Sequence, residues 1–199
     1  MEFTDVVRKR RMVRHFTDEP VPLETVEEIV AIAQRAPSAG YSQGISFVAV
    51  LDRERRQRVA QIAGEENYTS SRLAPMDPFI SEAPVQIIVC TSEKIYKDRY
   101  QEPDKKSPGQ QDMEWPTPYW HTDAGCAMLL LLLAAVDKGL SGAFVGLWDK
   151  QGMRDLLGIP DHFHPIGVVM IGHGAPDVKS PSLKRGRRNL EDVLHVEAW

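Results

Sequence analysis

Cysteine is scarce. Cys90 and Cys126 are the only two in 199 residues, each in an apolar run. That count argues against a disulfide framework and fits a reducing cytoplasm, with both thiols read as small buried hydrophobes. Long hydrophobic runs are missing as well. The longest, residues 127–136, falls far short of the roughly 20 residues that span a bilayer. No apolar h-region lies within the first thirty residues, so no signal peptide and no membrane association are expected. Positive charge is outweighed: 24 basic against 28 acidic side chains leave a net −4, which argues against nucleic acid as a partner. There is no G-x-S-x-G nucleophile elbow and no P-loop. Gly172-His173-Gly174 holds only the first two glycines of a dinucleotide fingerprint, and it follows a strand without opening a helix. His162 and His164, two apart in a proline-flanked loop, lack a recognised ligand spacing, so no metal is expected.

What is present is an ordinary globular composition, 42% hydrophobic and 26% charged, at a length that suits one domain. The charge is unevenly spread. Residues 1–16 carry a net +3 and residues 179–199 a net +2, so the body between them carries −9. Two basic ends can converge on one anion, or each can be a solvated tail.

Periodicity predicts a first helix over residues 5–11, with Thr4 as N-cap. A proline connector follows, then an amphipathic helix over 23–35 that Pro37 ends. Strands are expected at 47–51, 85–90, 142–146 and 166–171, with 85–90 apolar enough to be buried on both faces. Helices are expected at 53–63, 123–138 and 153–157. The helix at 123–138 is apolar nearly all round. It therefore needs burial on every side, at the centre of the fold or in a subunit interface. Residues 94–120 hold four prolines and little periodicity, and read as a lid-like loop. Residues 174–199 read as an extended basic arm.

Four segments are candidates for chemistry. Arg10, Arg11 and Arg14, on a helix, bring guanidinium groups to one face, and guanidinium suits phosphate. The competing reading is a solvated basic face. Pro37-Ser38-Ala39-Gly40 is a small-residue turn that a flat ligand can approach, or a plain helix stop. Gly142 to Gly146 gives a second close-approach segment, or a tightly packed core strand. Trp115-Pro116-Thr117-Pro118-Tyr119-Trp120 forms a stacking wall, or a stiff surface loop.

No one of these is specific, but their order is. R-R-x-x-R-x-F, then P-V, an amphipathic helix and A-P-S-x-x-x-x-Q before a strand resembles the nitroreductase family of FMN flavoproteins. Asp123-Ala124-Gly125 opening an apolar helix, then Lys138-Gly139-Leu140, Leu157-Gly158-Ile159-Pro160 and a tail reaching Leu190-Glu191-Asp192-Val193 extend the likeness over nearly the whole chain.

The resemblance implies an α+β fold: a three-layer α/β/α sandwich whose central sheet is mixed and mostly antiparallel, with a C-terminal arm that wraps a partner. It implies a homodimer with tightly bound FMN at the subunit interface and NAD(P)H as electron donor. The acceptors it implies are nitroaromatics, quinones or related small molecules, reduced in ping-pong fashion. By the same resemblance Arg10, Arg11, Met12 and Arg14 hold the phosphate and ribityl chain, with Arg185 or Arg187 from the arm. Pro37, Ser38, Ala39, Tyr41 and Gln43 line the ring, and Phe144, Val145 and Gly146 approach it with backbone groups. Tyr100, Trp115, Tyr119 and Trp120 are the expected substrate wall. No catalytic side chain is expected, because the flavin carries the chemistry. Departures from the family pattern fall at Met12, where serine is frequent, at Tyr41, where asparagine is frequent, and at Gly44-Ile45, where Pro-Trp is frequent. They bear on substrate choice more than on FMN. A specialised relative, flavin-fragmenting or reductively dehalogenating, is the alternative reaction, and a non-enzymatic flavin-binding protein a more distant one.

Overall fold

The computed structural model describes residues 1–71, 76–176 and 180–199. Lys179, counted in the basic tail, lies outside the described residues, as do two other residues of the 174–199 arm. The helices are α1 (Phe3–Lys9), α2 (Leu23–Ala33), α3 (Arg53–Ile62), α4 (Glu65–Thr69), α5 (Glu93–Arg99), α6 (Tyr119–Asp137) and α7 (Lys150–Leu157). Four strands, β1 (Ile45–Val50), β2 (Val85–Thr91), β3 (Ser141–Gly146) and β4 (His164–Gly172), form one sheet in the order β1-β2-β4-β3.

All three strand pairings are antiparallel. Among the described residues the parallel component is a single bridge, from Met12, outside the named strands, to Gly142 of β3. The period-2 alternation of the two central strands builds the layers. Ile88, Cys90, Val168 and Met170 face one core with Val59 and Ala60 of α3 and Met153 of α7. Ile87, Val89, Val169 and Ile171 face the other with Val26 and Ile29 of α2 and Leu131, Leu132 and Ala135 of α6. Helices thus cover both faces, the expected three-layer α+β sandwich, and β2 is buried at every position. Burial pushes the Cys90 thiol up to about 12, so it stays an inert hydrophobe.

Several boundaries move. The first helix stops at Lys9, Met12 bridges Gly142, and the Val13 N–H donates to the Gly142 carbonyl at 3.0 Å. Strand pairing against β3 outcompetes another helical turn. The loop expected at 94–120 contains α5, which has a single buried residue, Tyr96, and hence no visible period. Ser92 caps it, and Glu93–Lys97 and Lys94–Asp98 pair across its turns. The long helix begins at Tyr119, four residues early, and Thr91 Oγ1 holds its start by donating to the Trp120 carbonyl at 2.8 Å.

α6 is buried on one side only. Cys126, Leu129 and Leu133 form a stripe that stays accessible in the single chain, Leu129 at 49%. By length and composition α6 also suits a bilayer, yet half of it is core. Along the arm, Leu183, Leu190, Val193, Leu194, Val196 and Trp199 are all exposed.

A half-buried carboxylate holds the entry to β2. Glu65 Oε1 accepts from the N–H groups of Phe79, Ile80 and Ser81 at 2.8, 2.6 and 3.0 Å. Glu65→Ala strands three donors at once, an expected loss of about 2 kcal/mol in urea unfolding. Unchanged stability would show that water replaces the carboxylate there.

Candidate functional site

The turn after α2 is the most constrained stretch of backbone. Gly40 has φ +63°, and Tyr41 and Gln43, neither of them glycine, have φ +56° and +54°. Left-handed backbone at such residues costs energy and persists only where neighbours impose it. Here they do. Within the turn, Tyr41 N–H donates to the Ser38 carbonyl and Gln43 N–H to Ser38 Oγ at 2.7 Å. From α6, Asp123 Oδ2 accepts from the Ala39 N–H at 2.8 Å. From α5, Arg99 Nε donates to the Gly40 carbonyl at 3.0 Å. A Cβ on Gly40 would stand 2.5 Å from the Tyr100 ring, so that position must be glycine. Tyr41 and Gln43 are left facing outward and exposed.

The expected wall residues do gather. Trp115 makes edge contacts with Tyr100 at 4.8 Å and Tyr119 at 6.4 Å and tilts against Trp120 at 5.6 Å. Trp120 is itself buried, at 8% exposure. Tyr100, Trp115 and Trp120 line a cavity of about 550 Å³ with Glu93, Lys97 and Glu114. Arg99 also forks onto Asp104 with two bonds of 2.6 Å, which holds that carboxyl down to about 2. Turn and wall are therefore one assembly, joined at Gly40.

Tyr96, behind the wall, is absent from the sequence expectations. Its ring is fully buried and its hydroxyl donates to Asp123 Oδ2 at 2.7 Å. Burial first, then that hydrogen bond, pushes its phenol well above the ordinary value of 10. The native state thus keeps a proton that the unfolded chain releases, so stability falls as pH rises past 10. Tm is expected to decline more steeply above that pH in wild type than in Tyr96→Phe. Parallel declines would remove Tyr96 as the titrating group.

The remaining candidates lie elsewhere. Arg10 and Arg14 are both half-buried, and the helix expected to stack them stops before Arg10. Arg11, exposed, lines a different cavity with Arg8, Lys9 and Val13. Arg14 lies over the Phe79 ring at 5.9 Å. Met12 is half-buried and bridges Gly142, which puts this segment beside β3. At the end of β3, Val145 is core, Phe144 is half-buried and Gly146 is exposed. Arg185 and Arg187 are exposed on the arm. The turn precedes β1 and Gly146 ends β3, so both lie at one end of the sheet but on opposite edges. Three strand intervals, about 14 Å, separate them. The candidates on one chain thus fall into two groups: turn with aromatic wall, and arginine segment with β3.

The Nitroreductase family model matches residues 7–173. The chain belongs to the nitroreductase family. It is 29% identical to the FMN reductase [NAD(P)H] of Bacillus subtilis over 95% of this chain and 71% of that protein. It is 27% identical to an iodotyrosine deiodinase of Nematostella vectensis over 97% of this chain and 74% of that one. The crystal structure of a nitroreductase family protein from Streptococcus pneumoniae superposes with a TM-score of 0.76 at 23% identity, covering 98% of this chain and all of that one. Membership and the NAD(P)H-linked relatives make the chain an oxidoreductase of the nitroreductase type.

Proposed function

We propose that the chain is an FMN-dependent NAD(P)H oxidoreductase that reduces nitroaromatics, quinones or a related small acceptor. It works as a cytoplasmic homodimer with FMN at the subunit interface. The carrying observation is the split of the candidate residues between opposite sheet edges, with an accessible apolar stripe on α6 and an apolar arm available to a second copy.

The residues fit the group. Arg10 and Arg14, both half-buried, offer two guanidinium groups for the phosphate, with Met12 and Arg11 between them in the chain. Arg185 or Arg187 adds a third cation from the arm. A Cβ at Gly146 meets nothing within 4 Å, so backbone there is open to a flat ring, with Phe144 and Val145 leading up to it. Pro37, Ser38, Ala39, Tyr41 and Gln43 line the ring from the other chain. FMN, when bound, supplies the chemistry by taking a hydride from NAD(P)H and then passing electrons to the acceptor. The protein's part is to bind, orient and exclude water. Tyr100, Trp115, Tyr119 and Trp120 form the wall against which a planar acceptor rests.

The test is a visible spectrum of the purified protein, then bleaching by NADH and by NADPH separately without oxygen. A flavin spectrum bleached by at least one donor is expected. Colourless protein whose Tm does not rise with added FMN would overturn the reading.

A second reading keeps the cofactor and changes the reaction to reductive dehalogenation or flavin fragmentation. The likeness to the deiodinase and the aromatic-lined cavity favour it. Product analysis after turnover separates the two, through halide release or consumed flavin.

A further inference from the structure

Asp123 is the one buried acidic residue among those described, at 6% exposure. It sits in the second turn of α6, beyond the free N–H groups of the first turn, so helix capping does not explain it. Burying a carboxylate is costly unless it is well bonded. A single oxygen, Oδ2, carries both of its bonds: to the Ala39 N–H at 2.8 Å and to the Tyr96 hydroxyl at 2.7 Å. Ser38 Oγ accepts from the Gln43 N–H at 2.7 Å. A chain of bonds therefore runs from Tyr96 through Asp123 to Ala39, and Ser38 Oγ closes the turn onto Gln43.

That chain reaches three elements. Tyr96 belongs to α5, and its ring packs edge-on against Trp115 and Trp120. It also packs on Gly44, where a Cβ would stand 2.6 Å from it. Arg99, one turn further along α5, grips the Gly40 carbonyl. The orientation of the 38–39 and 40–41 peptides, and with it the left-handed path through Tyr41 and Gln43, is thus imposed from α5 and α6.

We propose that Asp123 is a positioning residue. Its carboxylate, with Tyr96 and Arg99, sets the 38–43 turn in the geometry that meets the flavin ring, and links that geometry to the aromatic wall of the acceptor cavity. The inference rests on the flavin-site reading above for its functional half. Its mechanical half stands on the hydrogen bonds alone. Loading or loosening the wall should then change the turn, and with it the cofactor.

The test uses the full chain and four variants: Asp123→Asn, Tyr96→Phe, the double variant of those two, and Arg99→Lys. Hydrogen exchange over residues 36–44 reads the linkage without any cofactor. Exchange there is expected to quicken about tenfold in Asp123→Asn, the loss of a charge-assisted bond. Titration with FMN and turnover with NADH read the consequence. Expected results are about tenfold weaker FMN binding and a lower kcat at little-changed KM for NADH. Tyr96→Phe should fall in between, and the double variant should be no worse than Asp123→Asn. A purely structural aspartate would lower Tm and leave turn exchange, FMN affinity and kcat at wild-type values, and that result overturns the proposal. If Asp123→Asn does not fold, Tyr96→Phe and Arg99→Lys carry the same readouts. Wild-type protein that takes up no FMN overturns the flavin reading, while exchange over 36–44 still decides the linkage.

Discussion

Gly167→Ala is expected to be the most damaging single-methyl change in the sheet, at about 3 kcal/mol of stability. Gly167 pairs with Gly146 across β3–β4, and the Phe144 ring lies over it. A Cβ there would stand 2.2 Å from Phe144 Cε2 and 2.6 Å from the Val145 carbonyl oxygen. The ring can turn away, but the carbonyl belongs to the ladder and cannot. Val145 is core, so β3 must shift as a unit. Because Phe144 and Gly146 are the proposed flavin approach, FMN binding should weaken along with Tm. Gly109→Ala is the useful contrast. Its φ is +79° but nothing lies within 4 Å, so only the backbone penalty remains, about 1 kcal/mol. Equal effects of the two variants in thermal unfolding would refute the seat assigned to Phe144.

Arg14→Ala is expected to have the largest effect on the cofactor, weakening FMN binding by roughly tenfold to a hundredfold. The fold should survive. Arg14 is half-buried and its contact over Phe79 is worth only about 0.5–1 kcal/mol. Arg14→Lys keeps the charge and loses the paired donors, so it should fall between wild type and alanine. Fluorescence titration of stripped protein with FMN gives both numbers. A fully occupied Arg14→Ala protein after extensive dialysis would remove Arg14 from the phosphate site. Arg11→Ala is the contrast, because Arg11 lines a cavity that Arg14 does not and should matter less.

The strands were legible because they are continuous apolar runs, and β2 is buried at every position. α5 was hidden because seven residues with one buried member show no period. The non-helical path of Arg10 to Arg14 was hidden for another reason: its local pattern suits a helix, and a partner strand far along the chain decides otherwise. The candidate turn was legible from its small residues and family order. Its geometry was not, since Asp123, 84 positions away, and Arg99, 59 away, impose it.

By itself, then, the amino-acid sequence determined the four strands and most of the helices, where the charge lies, and the order of motifs that marks the family. Those properties are local or additive, so they survive without coordinates. Tertiary structure alone decided which residues share a site. It joined the turn to the aromatic wall through Gly40, set the arginines beside β3, and divided the two groups between opposite edges of one sheet. Such long-range contacts depend on how strands pair and how layers stack, and spacing along the chain carries no record of either.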